Sequence, residues 1–175
     1  MTQDVFIEKI VARKMGPRQA ALIALLVLVS LLLIFAALLF FPYLGAFTLP
    51  VIAGVCWLAY YVMLFFRVEH EYILTNGELD IDRIIARRRR KRLFSVDISS
   101  FEMFAPVNEA NQKDLAHFSR TLKITDCGSA PSAPDRFFAV FTPKKGGKGR
   151  TLLIFEPDER MVADICKRLP GNRKL

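Results

Sequence analysis

The chain has 175 residues, which is enough for one compact domain and an anchor. Its formal net charge is +8 and 53% of its residues are hydrophobic, yet no Asp, Glu, Lys, Arg or His occurs from Gln19 to Phe66. This distribution argues against a wholly soluble chain, because a buried core helix is much shorter than such an uncharged stretch. The three cysteines form no CxxC pair, which excludes a cysteine-based zinc site of the usual spacing.

The first 18 residues are predicted to form an amphipathic N-terminal segment. Thr2–Met15 is predicted to be a short helix, because its apolar residues would share one face. These residues are Val5, Phe6, Ile10 and Val11. Such a helix would lie along the inner membrane surface. A frayed N-terminus that only supplies positive charge is the alternative.

Residues 19–66 are predicted to form a two-helix transmembrane hairpin. A helix needs ~20 residues to cross a hydrocarbon core of ~30 Å, so the uncharged stretch has room for two spans and a turn. Pro42, Gly45 and Pro50 lie near its middle, which gives spans of about Gln19–Phe41 and Leu49–Phe66. A cleaved signal peptide is not expected, because the apolar stretch is too long and a second span follows directly.

Basic residues flank this hairpin at its two ends but not at its turn. They are Lys9, Arg13, Lys14 and Arg18 before it, and Arg67 and the cluster Arg83–Arg92 after it. The positive-inside rule therefore predicts that both termini lie in the cytoplasm. Residues 67–175, with 21 basic and 15 acidic residues, would form one cytoplasmic domain of net charge +6.

The cytoplasmic domain has the pattern of short strands. Asn76-Gly77 separates the β-type runs Val68–Thr75 and Glu78–Ala86, and this dipeptide predicts a tight hairpin because both its positions need positive φ. Further strands are predicted over Arg92–Ile98, Phe101–Ala105, Thr121–Thr125, Phe137–Thr142 and Arg150–Phe155. A helix follows Pro157, with Met161, Ile165 and Leu169 on one face. The predicted fold is α+β, mainly β: about seven antiparallel strands in a partly open barrel, capped by the C-terminal helix.

The run Glu71–Asp82, which reads EYILTNGELDID, resembles the opening hairpin of bacterial pleckstrin-homology-like (PH-like) domains. The whole layout is similar to that of uncharacterised bacterial membrane proteins of Clostridia type, a family known as a domain of unknown function. The resemblance implies a PH-like fold in a bacterial cytoplasmic (inner) membrane and little about function. It does not carry over the basic first hairpin through which many eukaryotic PH domains bind phosphoinositides, because the turn here is Thr75-Asn76-Gly77-Glu78.

Strand alternation predicts where the positive charge lies. The first strand starts where the second span ends and runs away from the membrane, so the second strand returns and ends in a basic run. The loop Lys144–Arg150 and the end of the C-terminal helix are predicted to face the same side. The basic residues at this end are Lys167, Arg168, Arg173 and Lys174. Glu78, Asp97, Asp126 and Asp135 are predicted to face the opposite side.

Basic residues on the membrane side are the predicted lipid-binding site. They are Arg87, Arg88, Arg89, Arg90, Lys91 and Arg92, together with Lys144, Lys145, Lys148 and Arg150. They would lie on anionic headgroups of the inner leaflet, where each contributes ~1 kcal/mol. A solvated hairpin tip, or a signal that only sets topology, is the alternative.

No residue set predicts catalysis, a metal site or a cofactor. His70, His117 and Cys127 have no base, nucleophile or ligand at a recognisable spacing, and a solvated strand face explains Asp80 and Asp82. Nucleic-acid binding is not expected, because no aromatic residues are interleaved with the basic ones. The Ser-, Ala- and Pro-rich loop Gly128–Pro134 is predicted to be mobile and to be a site of contact with a partner.

The predicted function is therefore binding, and the chain is not expected to be an enzyme. It would be a membrane-tethered cytoplasmic module or scaffold whose basic face lies on anionic lipid headgroups. It would also bind a protein partner or itself as a homo-oligomer. The alternative is an accessory subunit of a transporter, secretion or envelope complex.

Overall fold

The computed structural model describes residues 5–143 and 149–171, and the chain divides into two compact units. One unit combines Met1–Arg13 with Val68–Leu175, and the other is Lys14–Arg67. The second unit is therefore an insertion in the first, and the first unit needs chain from both sides of it.

The inserted unit is a helical hairpin. Helix α1 spans Pro17–Leu39, a short helix α2 spans Phe41–Leu44, and a 3-10 turn at Gly45–Phe47 leads into α3, Thr48–Phe65. Gly45 has φ +51°, a conformation that glycine adopts without steric cost. In each helix only 6% of the most apolar window is buried, so neither resembles the core helix of a soluble protein. Their length and composition are consistent with a transmembrane hairpin.

The described part of the other unit contains eight strands in two sheets. The first sheet has the order β1-β2-β3-β4, and all its strands are antiparallel. Its strands are β1 Phe6–Ala12, β2 Val68–Thr75, β3 Glu78–Ile85 and β4 Arg89–Asp97. The second sheet has the order β5-β7-β8-β6. Its strands are β5 Met103–Pro106, β6 Lys123–Asp126, β7 Phe137–Phe141 and β8 Thr151–Phe155.

Two helices accompany these sheets. Helix α4 spans Gln112–Thr121 and helix α5 spans Glu159–Arg168, and a 3-10 turn at Ile98–Ser100 follows β4. The main core lies between the inner faces of the sheets and α5, with Tyr72, Phe101, Phe104, Phe141 and Phe155 fully buried. Leu115, Phe118 and Leu122 pack on the opposite side of the second sheet. The two apolar faces of that sheet are thus both covered.

The predicted N-terminal amphipathic helix is wrong, because residues 6–12 form β1. The register pairs Phe6 with Thr75 and Ala12 with Glu69 along the whole of β2. Without β1, the edge of β2 would leave backbone donors and acceptors unpaired beside a buried core. This pairing partner lies more than fifty residues away in the sequence, so the local periodicity could not indicate it.

The predicted barrel also differs from the structure. The described residues contain eight strands rather than about seven, and they form two sheets rather than one partly open barrel. The antiparallel alternation is wrong for β6, which pairs in parallel with β8. The cause is α4, which was not predicted: its passage between β5 and β6 changes the direction in which the chain enters the second sheet.

The predicted hairpin at Asn76-Gly77 and the closing helix are confirmed. Asn76 and Gly77 have φ of 50° and 93°, and the register joins Thr75 to Glu78 across them. Asp158 caps the N-terminus of α5, and its carboxylate accepts a hydrogen bond from the Met161 N–H at 2.7 Å. Met161 and Ile165 on α5, and Leu169 after it, are buried as their spacing predicts.

Candidate functional site

The basic run begins in the turn between β3 and β4. Ile85 pairs with Arg89, so the turn consists of residues 86–88, and the Arg88 N–H donates to the Ile85 carbonyl at 3.1 Å. Ala86 and Arg87 both have φ 55°, a left-handed conformation that is uncommon for residues other than glycine. Because Ile85 also pairs with Val68, the turn lies at the end of the first sheet where β2 begins.

The same end of the sheet is where the chain passes into the inserted hairpin. Ala12, the last residue of β1, pairs with Glu69 next to the start of β2. Four residues separate Ala12 from α1, and Phe66 and Arg67 are the two residues between α3 and β2. We call residues 86–92 the basic turn, since they lie in, or directly after, the β3–β4 connection at this end.

Three arginines of the basic turn form ion pairs with carboxylates of β2 and β3. Arg87 lies 3.0 Å from Glu69, and Arg90 lies 2.7 Å from Glu71. Arg92 bridges two carboxylates, with contacts of 2.7 Å to Asp80 and 2.8 Å to Asp82. The hydrogen bond from Arg92 to Asp82, followed by the charges of Asp80 and Asp82, raises the Arg92 pKa against the opposing effect of burial. These pairs hold the arginines along the outer face of the first sheet.

Two of the paired carboxylates are buried. Glu71 and Asp82 face each other across β2 and β3, and each residue is 2% exposed. Burial raises the pKa of Glu71, a hydrogen bond with the Glu8 side chain raises it further, and Arg90 opposes both effects. Like charges placed directly opposite on a sheet repel each other, so Arg90 and Arg92 act as their counter-ions. Sequence reasoning missed this role, although the acids alternate with apolar residues on both strands.

The remaining cations of the basic turn are not engaged in this way. Arg88, Arg89 and Lys91 are exposed, and within the described residues none of them forms an ion pair. The charge available to an external anion is therefore concentrated in these three side chains. The sequence-based prediction named all six basic residues of the run without distinguishing paired from unpaired cations.

Of the other predicted basic residues, the structure describes Arg150. Lys144, Lys145 and Lys148 lie outside the described residues. Arg150 forms an ion pair with Glu102, and its guanidinium carbon lies 5.9 Å from the centre of the Phe118 ring. Glu102 follows the 3-10 turn whose Ile98 N–H donates to the Gly77 carbonyl. Arg150 thus belongs near the Asn76-Gly77 end, opposite the basic turn.

The C-terminal helix also ends at that opposite end, which corrects the predicted alternation. Arg168 Nη1 donates to the Asn76 carbonyl at 3.3 Å. A Cβ atom added to Gly77 would approach this Nη1 within 2.9 Å, so the side chain covers the turn closely. The alternation failed here because it assumed one continuous antiparallel series, whereas α4 and the parallel β6 interrupt the series.

A buried polar cluster lies beneath β2. Tyr72 donates its hydroxyl proton to the Cys127 carbonyl at 2.7 Å, and its burial raises its pKa. His70 is 3% exposed, and burial, followed by the nearby charges of Arg83 and Arg13, lowers its pKa to about 4. Burial also raises the pKa of the Cys127 thiol to about 12, so it lacks the thiolate that a nucleophile needs. His117 is instead exposed on α4.

The loop after Cys127, for which mobility was predicted, makes polar contacts with its neighbours. The Ser129 N–H and hydroxyl both donate to Glu156, at 2.7 and 3.0 Å. Arg136 donates to the Pro131 carbonyl and to Asp126, both at 2.7 Å. These contacts join the loop to residues that precede and follow it in the sequence. The composition of the loop did not indicate these contacts.

Within residues 5–143 and 149–171, no group of three or more His, Cys, Asp or Glu side chains is arranged to hold a metal ion. The arrangement of the described site is that of an electrostatic surface: three exposed cations at a turn, backed by arginines that are tied to buried acids.

Comparison with known proteins agrees with the two-sheet architecture and its C-terminal helix. No curated protein and no solved structure matches the chain. The family described as Bacterial PH-like domain (DUF6106) matches residues 3–174, which is nearly the whole chain and includes the inserted hairpin. The PH-like fold that the hairpin sequence implied is thereby confirmed, and the chain belongs to this family of bacterial PH-like domains.

Proposed function

We propose that this protein is a membrane-tethered binding module. The hairpin Lys14–Arg67 would anchor it in the bacterial cytoplasmic membrane with both termini in the cytoplasm. The basic turn would contact anionic headgroups of the inner leaflet, and the PH-like unit would bind a protein partner or a second copy. The observation that carries the proposal is that the hairpin is inserted between β1 and β2, at the end of the sheet that also carries the basic turn.

Chain connectivity supports the membrane contact. Since Phe66 and Arg67 are the two residues between α3 and Val68, the start of β2 cannot lie far from the end of the helix. Ile85, which precedes the basic turn, is the register partner of Val68. A covalent anchor already provides attachment, so additional electrostatic contacts of ~1 kcal/mol per cation would orient the unit rather than recruit it.

The distribution of free charge supports the same contact. Arg88, Arg89 and Lys91 are exposed, whereas Arg90 and Arg92 are tied to buried acids that hold β4 to its neighbours. Removing the free cations is therefore expected to change membrane contact with little effect on the fold. Removing Arg90 or Arg92 would leave a buried carboxylate uncompensated and destabilise the sheet.

The test replaces Arg88, Arg89 and Lys91 together by Gln in the full chain, reconstituted in nanodiscs. Hydrogen–deuterium exchange of residues 86–91 is compared between nanodiscs of zwitterionic lipid and nanodiscs that contain phosphatidylglycerol. We expect anionic lipid to protect the turn in the wild type, high salt to reduce the protection, and the triple variant to lose it.

A matched variant replaces Lys113, Arg120 and Lys123 by Gln, which removes the same charge from α4 and β6. This control should retain the protection. The lipid contact would be contradicted if the turn of the wild type exchanged equally in both kinds of nanodisc. It would also be contradicted if both variants lost the protection to the same extent. Stoichiometric co-purification of a larger membrane protein in mild detergent would favour the accessory-subunit role.

A further inference from the structure

Strand β1 presents an open edge. The Asn76 N–H donates to the Val5 carbonyl at 3.0 Å, and the Arg13 N–H donates to the Val68 carbonyl at 2.9 Å. With the antiparallel register, odd-numbered residues of β1 therefore direct their backbone groups toward β2. Phe6, Glu8, Ile10 and Ala12 direct theirs away, and in the described residues no other strand pairs with this edge. All four residues are exposed.

A groove of about 490 Å³ lies between β1 and α5. This volume is within the range of ~300–1,000 Å³ that ligand pockets occupy. Phe137, Val162 and Cys166 line it and are half-buried against the main core, so the groove has an apolar floor. Lys9 lines it from β1.

One end of the groove is acidic. Asp135, Asp158 and Glu159 line it there, and among its described lining residues Lys9 is the only cation. Asp158 is engaged as the cap of α5, but Asp135 and Glu159 are exposed and form no ion pair within the described residues. Glu159 lies about one helical turn before Val162 and two before Cys166, so the acidic end adjoins the apolar floor.

We infer that this groove binds an extended basic segment of a protein partner, which adds as a strand to the open edge of β1. The backbone of the segment would pair with the outward-facing groups of Glu8 and Ile10. An apolar side chain would pack on Phe137 and Val162, and a neighbouring Lys or Arg would meet Asp135 and Glu159. The inference rests on the proposed function and specifies its protein partner.

The experiment uses the full chain with Cys56→Ala in detergent micelles and a phage-displayed library of random peptides. We expect enriched peptides to alternate apolar and polar residues and to contain Lys or Arg. Fluorescein-labelled copies of an enriched peptide are then measured by anisotropy. The bound peptide should also slow maleimide alkylation of Cys166, because this thiol lines the groove.

Three variants test the separate contacts. Ile10→Pro removes an outward N–H, Val162→Glu makes the floor polar, and Glu159→Lys reverses a charge at the acidic end. Each should weaken binding by about threefold or more, because a lost hydrogen bond costs ~0.5–1.5 kcal/mol and ~1.4 kcal/mol corresponds to tenfold. Glu109→Lys makes the same charge reversal outside the groove and should leave the affinity unchanged. Circular dichroism shows whether each variant is folded.

Several outcomes would overturn the inference. One is that the wild type enriches no peptides beyond those that a folded Ile10→Pro, Val162→Glu double variant enriches. Another is that none of the groove variants weakens peptide binding. A dimer in detergent that Ile10→Pro dissociates, without peptide binding, would show that a second copy occupies the edge and would overturn it as well. Absence of peptide binding by the wild-type chain, with lipid protection of the basic turn retained, contradicts this inference alone. Peptide binding without lipid protection contradicts only the lipid contact.

Discussion

His70 is a neutral side chain at physiological pH. Its burial and the nearby charges of Arg83 and Arg13 lower its pKa to about 4, so the imidazolium form is disfavoured in the folded state. It lies opposite Arg83 in the first sheet, on the face that points toward the core. The residue therefore couples protonation to folding.

This coupling predicts a loss of stability on acidification. Because the pKa in the folded state is lower than the ordinary value of 6.5, the unfolded chain binds a proton between pH 6.5 and about 4 that the folded chain does not. The free energy of unfolding should fall across this range, by up to ~3 kcal/mol for this group. The thermal midpoint of the full chain in detergent, measured from pH 7 to pH 4, reports the change.

A His70→Gln variant serves as the comparison. Its midpoint should depend less on pH than that of the wild type across the same range. Glu71, whose pKa is raised, contributes with the opposite sign and is present in both proteins, so the difference isolates His70. Identical pH profiles for the two proteins would contradict the assignment.

Among the secondary-structure elements, β1 forms one edge of the first sheet. It covers β2 along its whole length, and its Val11 is buried in the main core. The alternating pattern of its backbone hydrogen bonds directs successive N–H groups toward β2 and away from it.

Proline substitution along β1 is predicted to alternate in effect. The Lys9 N–H faces β2, so Lys9→Pro should remove a ladder bond and destabilise the fold by ~1–3 kcal/mol, the cost of an unpaired buried acceptor. The Ile10 N–H faces outward, so Ile10→Pro should have a much smaller effect. Thermal denaturation followed by circular dichroism compares them, with Lys9→Ala as the control for side-chain loss. Equal destabilisation by both prolines would show that the register of β1 is different.

Local sequence signals predicted some elements and missed others for identifiable reasons. Asn76-Gly77 and the spacing of Met161, Ile165 and Leu169 are short-range signals, and both predictions are confirmed. The strand character of residues 6–12 depends on β2, which follows after the whole hairpin.

In the candidate site, the run of cations was evident from the sequence. The pairing of Arg87, Arg90 and Arg92 with acids was not, because it depends on the register of three strands.

At the scale of the whole chain, the hairpin is inserted within the sequence of the PH-like unit rather than joined to one end of it. The first unit contains residues on both sides of Lys14–Arg67. Both connections to the hairpin therefore leave from the same unit, and both leave from the same end of its first sheet. A hairpin with two spans returns the chain to the side of the membrane from which it started, which this arrangement requires.

The topology can be tested directly in a bacterial host. We predict that reporter fusions at the N-terminus and at the C-terminus both show a cytoplasmic location. A cysteine introduced at Ala46, in the turn of the hairpin, should be labelled from the other side of the membrane by an impermeant maleimide in a Cys56→Ala background. Labelling of position 46 from the cytoplasm, or opposite locations for the two termini, would contradict the double crossing.

The insertion also determines the order of events during synthesis. When β1 leaves the ribosome its partner strand does not yet exist, and at ~5–20 residues per second the intervening segment takes several seconds to make. The hairpin is therefore available for insertion before the first sheet can form, and β1 remains unpaired until β2 arrives. A single proteolytic cut within the hairpin would not release the finished domain as one free piece, because β1 would keep its share of the anchor and stay paired with β2. In the proposed membrane topology, insertion of the hairpin would therefore precede folding of the first sheet, and the folded sheet would hold the two ends of the hairpin together.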